Sequence, residues 1–292
     1  MATLSQWVEG ARPRTLPAAV SPVIIGTGSA YALGHGNPGY GLLALLVALL
    51  LQVGVNYAND YSDGIRGTDQ QRVGPVRLVG QHLADPGNVK IAAFSAFFFA
   101  ALAGLTLVAL SESWWLLVVG GAAILAAWYY TGGSRPYGYS GFGEVFVFVF
   151  FGLVAVLGTV WTQAHALDLA SWAGAVGVGL IACSLLVANN LRDIPGDSET
   201  GKRTMAVRLG DARTRLLYVV LLVLAFAAVI VAGIAHPTAW IGLLAAALAV
   251  PLVRRVRSGA QGRDLVEVLV GTGRLQLVYG VLLGLGLWLA TR

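Results

Sequence analysis

Nine apolar runs, near residues 16–33, 41–59, 91–110, 114–131, 145–164, 172–190, 216–235, 238–253 and 275–290, constrain this chain more than any other feature. Each approaches the ~20 residues that an α-helix needs to cross the hydrocarbon core of a bilayer. Hydrophobic residues make up 57% of the sequence and charged residues 11%, whereas about a quarter of a soluble domain is charged. These features predict an all-α, polytopic membrane protein with nine transmembrane helices, folded as a single integral-membrane domain over residues 1–292. Residues 142–151, FGEVFVFVFF, alternate like a strand. An isolated strand in lipid would leave its backbone groups unsatisfied, so a helix is expected there too. The 38 glycines fit close helix–helix approach rather than disorder.

The basic residues set the orientation. If nine helices alternate, 18 of the 19 Lys and Arg residues fall on one side and only Arg292 on the other. Short loops retain Lys and Arg on the cytoplasmic face. The expectation is therefore a multi-pass protein of the plasma membrane, with the N-terminus and polar loops cytoplasmic and the C-terminus outside. The same asymmetry accounts for the net charge of +5, so nucleic acid is not an expected partner. Arg12 and Arg14, followed by an apolar stretch ending Ala30-Tyr31-Ala32, mimic a secretory leader. Pro17 and Pro22 interrupt that stretch, and cleavage would invert the charge pattern of the remaining helices. An uncleaved first span is expected. The lone Cys183 lies in an apolar run and is read as a small core residue.

Two spans finish in clustered amides and acids. The first cluster has Asn56, Asn59, Asp60 and Asp63 before Gly64, with Asp69 past two glycines. At ~100° per residue, Asn56, Asp60 and Asp63 share one helix face and Asn59 flanks it. The second, VANNLRDIPGDSETGKRT at 187–204, places Asn189 and Asp193 133 residues after Asn56 and Asp60. Pro195 is expected to stop that helix, leaving Asp197 and Glu199 on a loop. The echo suggests two related halves of about four spans each. Carboxylates and amides without cysteine or clustered histidine are hard oxygen ligands, suited to Mg²⁺, Mn²⁺ or Ca²⁺ rather than zinc. Arg66, Arg72 and Arg77 accompany the first cluster, and Arg192, Lys202, Arg203 and Arg208 the second. A divalent cation with arginines is a means of holding a diphosphate. Solvated boundary acids are the bland alternative, which two clusters of matched spacing make a poor fit. Asp60-x-x-Asp63-Gly64 has the wrong interval for an EF-hand loop.

A third polar stretch is WYYTGGSRPYGYSGFGE at 128–144. Tyr and Trp collect at headgroup level whatever the function, but Arg135 is this loop's single cation and the glycines make it flexible. The loop is expected to cap a pocket. Arg135 would hold a phosphate or an acceptor carboxylate, and Tyr137 or Tyr139 would shape a ring site.

NDYSD at 59–63 and DIPGD at 193–197 resemble the two aspartate-rich motifs of the UbiA superfamily of intramembrane prenyltransferases. ARPRTLPAA at 11–19, VNYANDYSDGIRGTD at 55–69, RVGPVRLV at 72–79, YTGGSRPYGYSGFGE at 130–144 and NNLRDIPGDSETGKRTMAVRLG at 189–210 extend the likeness over the chain. They are most similar to actinobacterial members acting on 1,4-dihydroxy-2-naphthoate in menaquinone biosynthesis. The resemblance implies two helical halves around a central cavity open to the cytoplasmic side and to lipid. It implies that Asp60, Asp63, Asp193 and Asp197, helped by Asn56 and Asn189, hold Mg²⁺ (or Mn²⁺) on the diphosphate of a polyprenyl donor. Arg66, Lys202, Arg203 and Arg135 would neutralise its remaining charge, with an aromatic acceptor as second substrate and no obligate protein partner. Many members space the first motif D-x-x-D-x-x-x-D; here Asp69 comes six residues after Asp63, which departs from the pattern for a third ligand. An ion-coupled transporter and a prenyltransferase using 4-hydroxybenzoate or homogentisate are the competing readings.

Overall fold

The computed structural model describes residues 2–67 and 76–290, and among these it is helical throughout with no strand. Ten helices follow in order: α1 (Leu4–Gly10), α2 (Pro17–Ala32), α3 (Pro38–Ile65), α4 (Pro86–Leu110), α5 (Leu116–Tyr129), α6 (Gly143–Ala164), α7 (Leu169–Glu199), α8 (Met205–Ala235), α9 (Pro237–Arg257) and α10 (Gly262–Leu289). α2 to α10 fall on the nine apolar runs. Seven of them, α3, α4 and α6 to α10, are long and apolar enough to cross a membrane. α2 has 16 residues and α5 has 14.

Helix starts follow local chemistry. Asn37, Asp85, Asp168 and Thr204 each accept a hydrogen bond from a first-turn backbone N–H, and Pro38 and Pro86 begin α3 and α4. These caps satisfy donors that a helix start leaves without intrahelical partners. Phe148–Val154 inside α6 is wound as π-helix, and Gly210 (φ 75°, ψ 172°) breaks α8 near its start.

Pro195 does not end its helix, contrary to expectation: α7 runs through it to Glu199. A proline forfeits one N–H bond to the preceding turn. Further hydrogen bonds close the helix end, with the Ser198 hydroxyl on Ile194 O and the Lys202 N–H on Asp197 O. Asp197 and Glu199 are therefore held on the helix rather than on a loop.

Where lipid removes the hydrophobic drive between helices, close packing of small residues takes over. α2 and α10 meet this way. A Cβ built on Gly28 would lie 2.3 Å from the Gly284 carbonyl oxygen, and one on Gly280 2.6 Å from Ser21 Cβ. Outward positions carry large apolar side chains, such as Phe98 at 64% and Val118 at 79% exposure, a surface expected where the solvent is hydrocarbon.

The N-terminal segment, the C-terminal turns of α3 and α7 and residues 130–140 gather at one end of this bundle. The opposite end is held by short contacts: Tyr40 Oη on Leu110 O, Asn37 N on Gln163 Oε1, and His236 Nε2 on Asp168 Oδ2.

Candidate active site

The last turns of α3 and α7 bring the two acid clusters to that polar end. They meet across one cation: Lys202 Nζ lies 3.7 Å from Asp63 Oδ1 and 3.8 Å from Asp197 Oδ1. The lysine comes just after α7 and its side chain is buried. Residues 134 positions apart thus share one ammonium. Burying two carboxylates costs several kcal/mol each unless cations compensate, and Lys202 is placed to do so.

Tyr139 completes this junction. Its hydroxyl donates to Asp63 Oδ1, and its ring carries Lys202 Nζ 4.5 Å and the Arg66 guanidinium 5.5 Å from the centroid. Two cations over one ring fit its negative face. Arg66 donates to the carbonyls of Thr131 and Gly133. The Arg203 N–H donates to Tyr139 O at 2.8 Å, while the exposed Arg203 side chain stays at the rim. Arg208 bonds Ser140 O at 3.0 Å. Residues 130–140 are therefore fastened to both clusters, as a cap over the junction requires.

The other acids have different partners. Asp60 is fully buried, and its two oxygens accept from the backbone N–H groups of Leu78 (2.7 Å) and Val79 (3.2 Å). It tethers the segment ahead of α4 to α3. Asp193 is held side-on by Arg192, with Nε to Oδ1 at 2.7 Å and Nη2 to Oδ2 at 2.8 Å; the same Nη2 reaches Asn189 Oδ1 at 2.9 Å. Asn56 faces the N-terminal segment: its Nδ2 donates to Ala11 O (2.8 Å) and Thr15 Oγ1 (2.9 Å), and its Oδ1 accepts from Gln52 (3.3 Å). Asn59 Oδ1 accepts from the Thr131 hydroxyl at 2.8 Å.

Two residues expected at the acceptor are placed apart from the junction. Arg135 is exposed and makes no hydrogen bond or ion pair among the described residues. Tyr137 donates to Ala126 O at 2.7 Å and stacks on Phe146 at 4.0 Å; burial pushes its phenol above the ordinary tyrosine value. It packs the loop against α5 and α6. Asp69 and Arg72 lie outside the described residues.

Among the described residues no three His, Cys, Asp or Glu side chains converge to hold a metal ion. The donor set nevertheless suits a hard cation. Asp63 and Asp197, one from each motif, already share a positive charge, and every candidate ligand is oxygen. Sequence reasoning did not find the tethering roles of Gln52, Thr15 and the Leu78–Val79 backbone. The alternation of polar residues at 52, 56, 59 and 60 in an otherwise apolar helix was the available signal.

Residues 19–267 match the model of the UbiA prenyltransferase family. The chain belongs to that family. It is 57% identical over 281 residues to the 1,4-dihydroxy-2-naphthoate octaprenyltransferase of Mycobacterium tuberculosis, covering 96% of both chains. Identity to the Escherichia coli enzyme of the same name is 38%, covering 97% of this chain and 95% of that one. A UbiA homolog from Archaeoglobus fulgidus bound to GPP and Mg²⁺ shares the fold with a TM-score of 0.71 at 12% identity, covering 97% of this chain and 99% of that one.

Proposed function

We propose that the protein transfers a polyprenyl group from an allylic diphosphate to 1,4-dihydroxy-2-naphthoate, releasing pyrophosphate and CO₂ and giving demethylmenaquinol, the reduced form of demethylmenaquinone. The observation that carries the chemistry is the junction of Asp63, Lys202 and Asp197, where two acid motifs and a cation converge. The named relatives supply the acceptor.

Asp63 and Asp197, with Asp193, Asp60 and the amides of Asn56 and Asn189 around them, would hold Mg²⁺, with Mn²⁺ as a substitute. Bound there, the ion supplies charge stabilisation to the departing pyrophosphate. Lys202 and Arg66 add fixed positive charge beside that leaving group, and Arg203 meets it at the rim. Tyr139 orients Asp63 through its hydroxyl and holds both cations over its ring. As the allylic C–O bond breaks, the carbon becomes cation-like. The electron-rich ring attacks it through the carbon bearing the carboxylate, a C–C bond forms, and the bond to the carboxylate breaks to release CO₂. The buried setting excludes water, which would otherwise capture the cation.

In this reading α2 and α5 also cross the bilayer, making nine spans in two related halves around a cavity open to the cytoplasm and to lipid. The N-terminus and polar end are cytoplasmic, the C-terminus is outside, the membrane is the plasma membrane, and no protein partner is needed. The test is purified protein in detergent, one polyprenyl diphosphate and Mg²⁺, with a panel of aromatic acceptors. Prenylation of dihydroxynaphthoate with CO₂ release is expected. Equal or better turnover of 4-hydroxybenzoate or homogentisate overturns the acceptor, and no pyrophosphate release with any acceptor overturns the reaction.

A further inference from the structure

Glu144 has no part in the junction, yet among the described residues it is the acid that the bundle buries with the least compensation. It stands in the first turn of α6, 7% exposed, and makes no ion pair among the described residues. Asn190 Nδ2 donates to its Oε1 at 3.0 Å, while Oε2 is buried without a hydrogen-bond partner. A carboxylate offers about four acceptor sites, and leaving a buried polar oxygen unsatisfied costs ~1–3 kcal/mol or more. The position is otherwise tightly made. The Cys183 thiol donates to the Glu144 carbonyl at 3.2 Å, and a Cβ on Gly143 would lie 3.5 Å from the Tyr130 hydroxyl. The π-helix follows four residues later, at Phe148–Val154, and such windings occur often at functional sites.

Its place relative to the diphosphate end gives the orphan oxygen a meaning. On an α-helix Asn190 and Asp197 fall within about 20° of each other, and Asp193 within about 60° of Asn190. At ~1.5 Å per residue, Asn190 is ~4.5 Å deeper than Asp193 and ~10 Å deeper than Asp197. A donor whose phosphates sit at the Asp63–Lys202–Asp197 junction hangs its allylic carbon inward from them, toward this depth. An aromatic ring that attacks that carbon must lie within about 3–3.5 Å of it.

We infer that Glu144 Oε2, on a side chain steadied by Asn190, receives the hydrogen bond of an acceptor hydroxyl and so orients the ring for attack. This rests on the reading above, in which the acceptor is a hydroxylated aromatic acid. A hydroxyl is the donor that Oε2 lacks, and accepting from it pushes electron density into the ring. The acceptor's own carboxylate is repelled by Glu144 and faces away from it, which fixes which edge of the ring enters first.

The experiment compares wild type, Glu144→Gln and Glu144→Asp in detergent, varying donor and acceptor separately, with the hydroxyl methyl ethers of the acceptor as probes. Glu144→Gln is expected to lower kcat/KM for the acceptor about a hundredfold, with the KM for prenyl diphosphate and the thermal midpoint unchanged. Glu144→Asp recovers part of the loss. One methyl ether costs wild type a similar factor and costs Glu144→Gln nothing further, because the same bond is already missing. An unchanged acceptor kcat/KM in Glu144→Gln, equal losses for both substrates, or an ether penalty that adds fully to that of the variant overturns the assignment. If Glu144→Gln does not fold, Glu144→Asp and the ether series decide by the same criteria. Failure of wild type to prenylate any hydroxylated aromatic acid overturns the earlier reading, whereas normal wild-type turnover with an indifferent Glu144 overturns this inference alone.

Discussion

The two acid clusters share a spacing and differ in what they hold. In the first, Asp60 is buried completely and spends both oxygens on backbone N–H groups of Leu78 and Val79. In the second, the matching Asp193 is half-buried and held by its neighbour Arg192. One aspartate organises a chain segment, and the other is balanced by a side chain. The second carboxylates, Asp63 and Asp197, are the pair that converge on Lys202. Equal spacing sets equal helix faces, but partners are set by what each helix end happens to meet.

The largest expected effect falls on the converging pair. Asp63→Asn or Asp197→Asn should each lower turnover by about 10²–10³ or more, with membrane insertion unchanged; a radiolabelled prenyl-transfer assay on detergent-purified protein checks it. Activity near wild type in both would break the junction model. A smaller effect separates the clusters. Asp60→Asn should cost ~1–3 kcal/mol of stability, because one backbone N–H of Leu78 or Val79 loses its acceptor. Asp193→Asn should leave thermal unfolding in detergent nearly unchanged, although both substitutions lower turnover. Equal destabilisation by the two would erase the contrast between the clusters.

The far end of the bundle supplies the smallest effect. Desolvation alone would raise the carboxyl of Asp168, but hydrogen bonds from Ser171 and His236 outweigh it and hold the group below the ordinary aspartate value. A depressed acid adds stability that is present above its unfolded value and is lost as pH falls through the folded one. The thermal midpoint should therefore drop below about pH 4, and Asp168→Asn should remove that part of the drop. A drop of the same size in the variant would show that other acids cause it.

Much of the fold was legible because bilayer thickness and apolar run length are coupled: α2 to α10 fall on the nine runs. The candidate site was legible as to which polar residues gather at one end of the bundle, since helical periodicity fixes which residues share a face. The hydrogen-bond partners were not. Nothing local in DIPGD reveals that closing bonds at the helix end let α7 continue past Pro195. Nothing in RPYGY reveals that Tyr139 reaches Asp63 while Tyr137 turns back to α5. The Tyr139 contact crosses 76 residues, and the bonds that close α7 come from Ser198 and Lys202, past the motif itself. Glu144 was equally hidden, an acid at the head of a run that alternates like a strand, and only the meeting of α6 with α7 exposes it.

The contact between Gly28 on α2 and Gly284 on α10 has a consequence for biosynthesis. α2 leaves the ribosome long before α10, and its glycine-lined face is matched by a residue 256 positions later in the chain. Until α10 is inserted, that face has only lipid or a provisional neighbour against it. Assembly of this bundle therefore waits for α10, and a chain stopped short of Gly284 would be an unfinished bundle rather than a trimmed one.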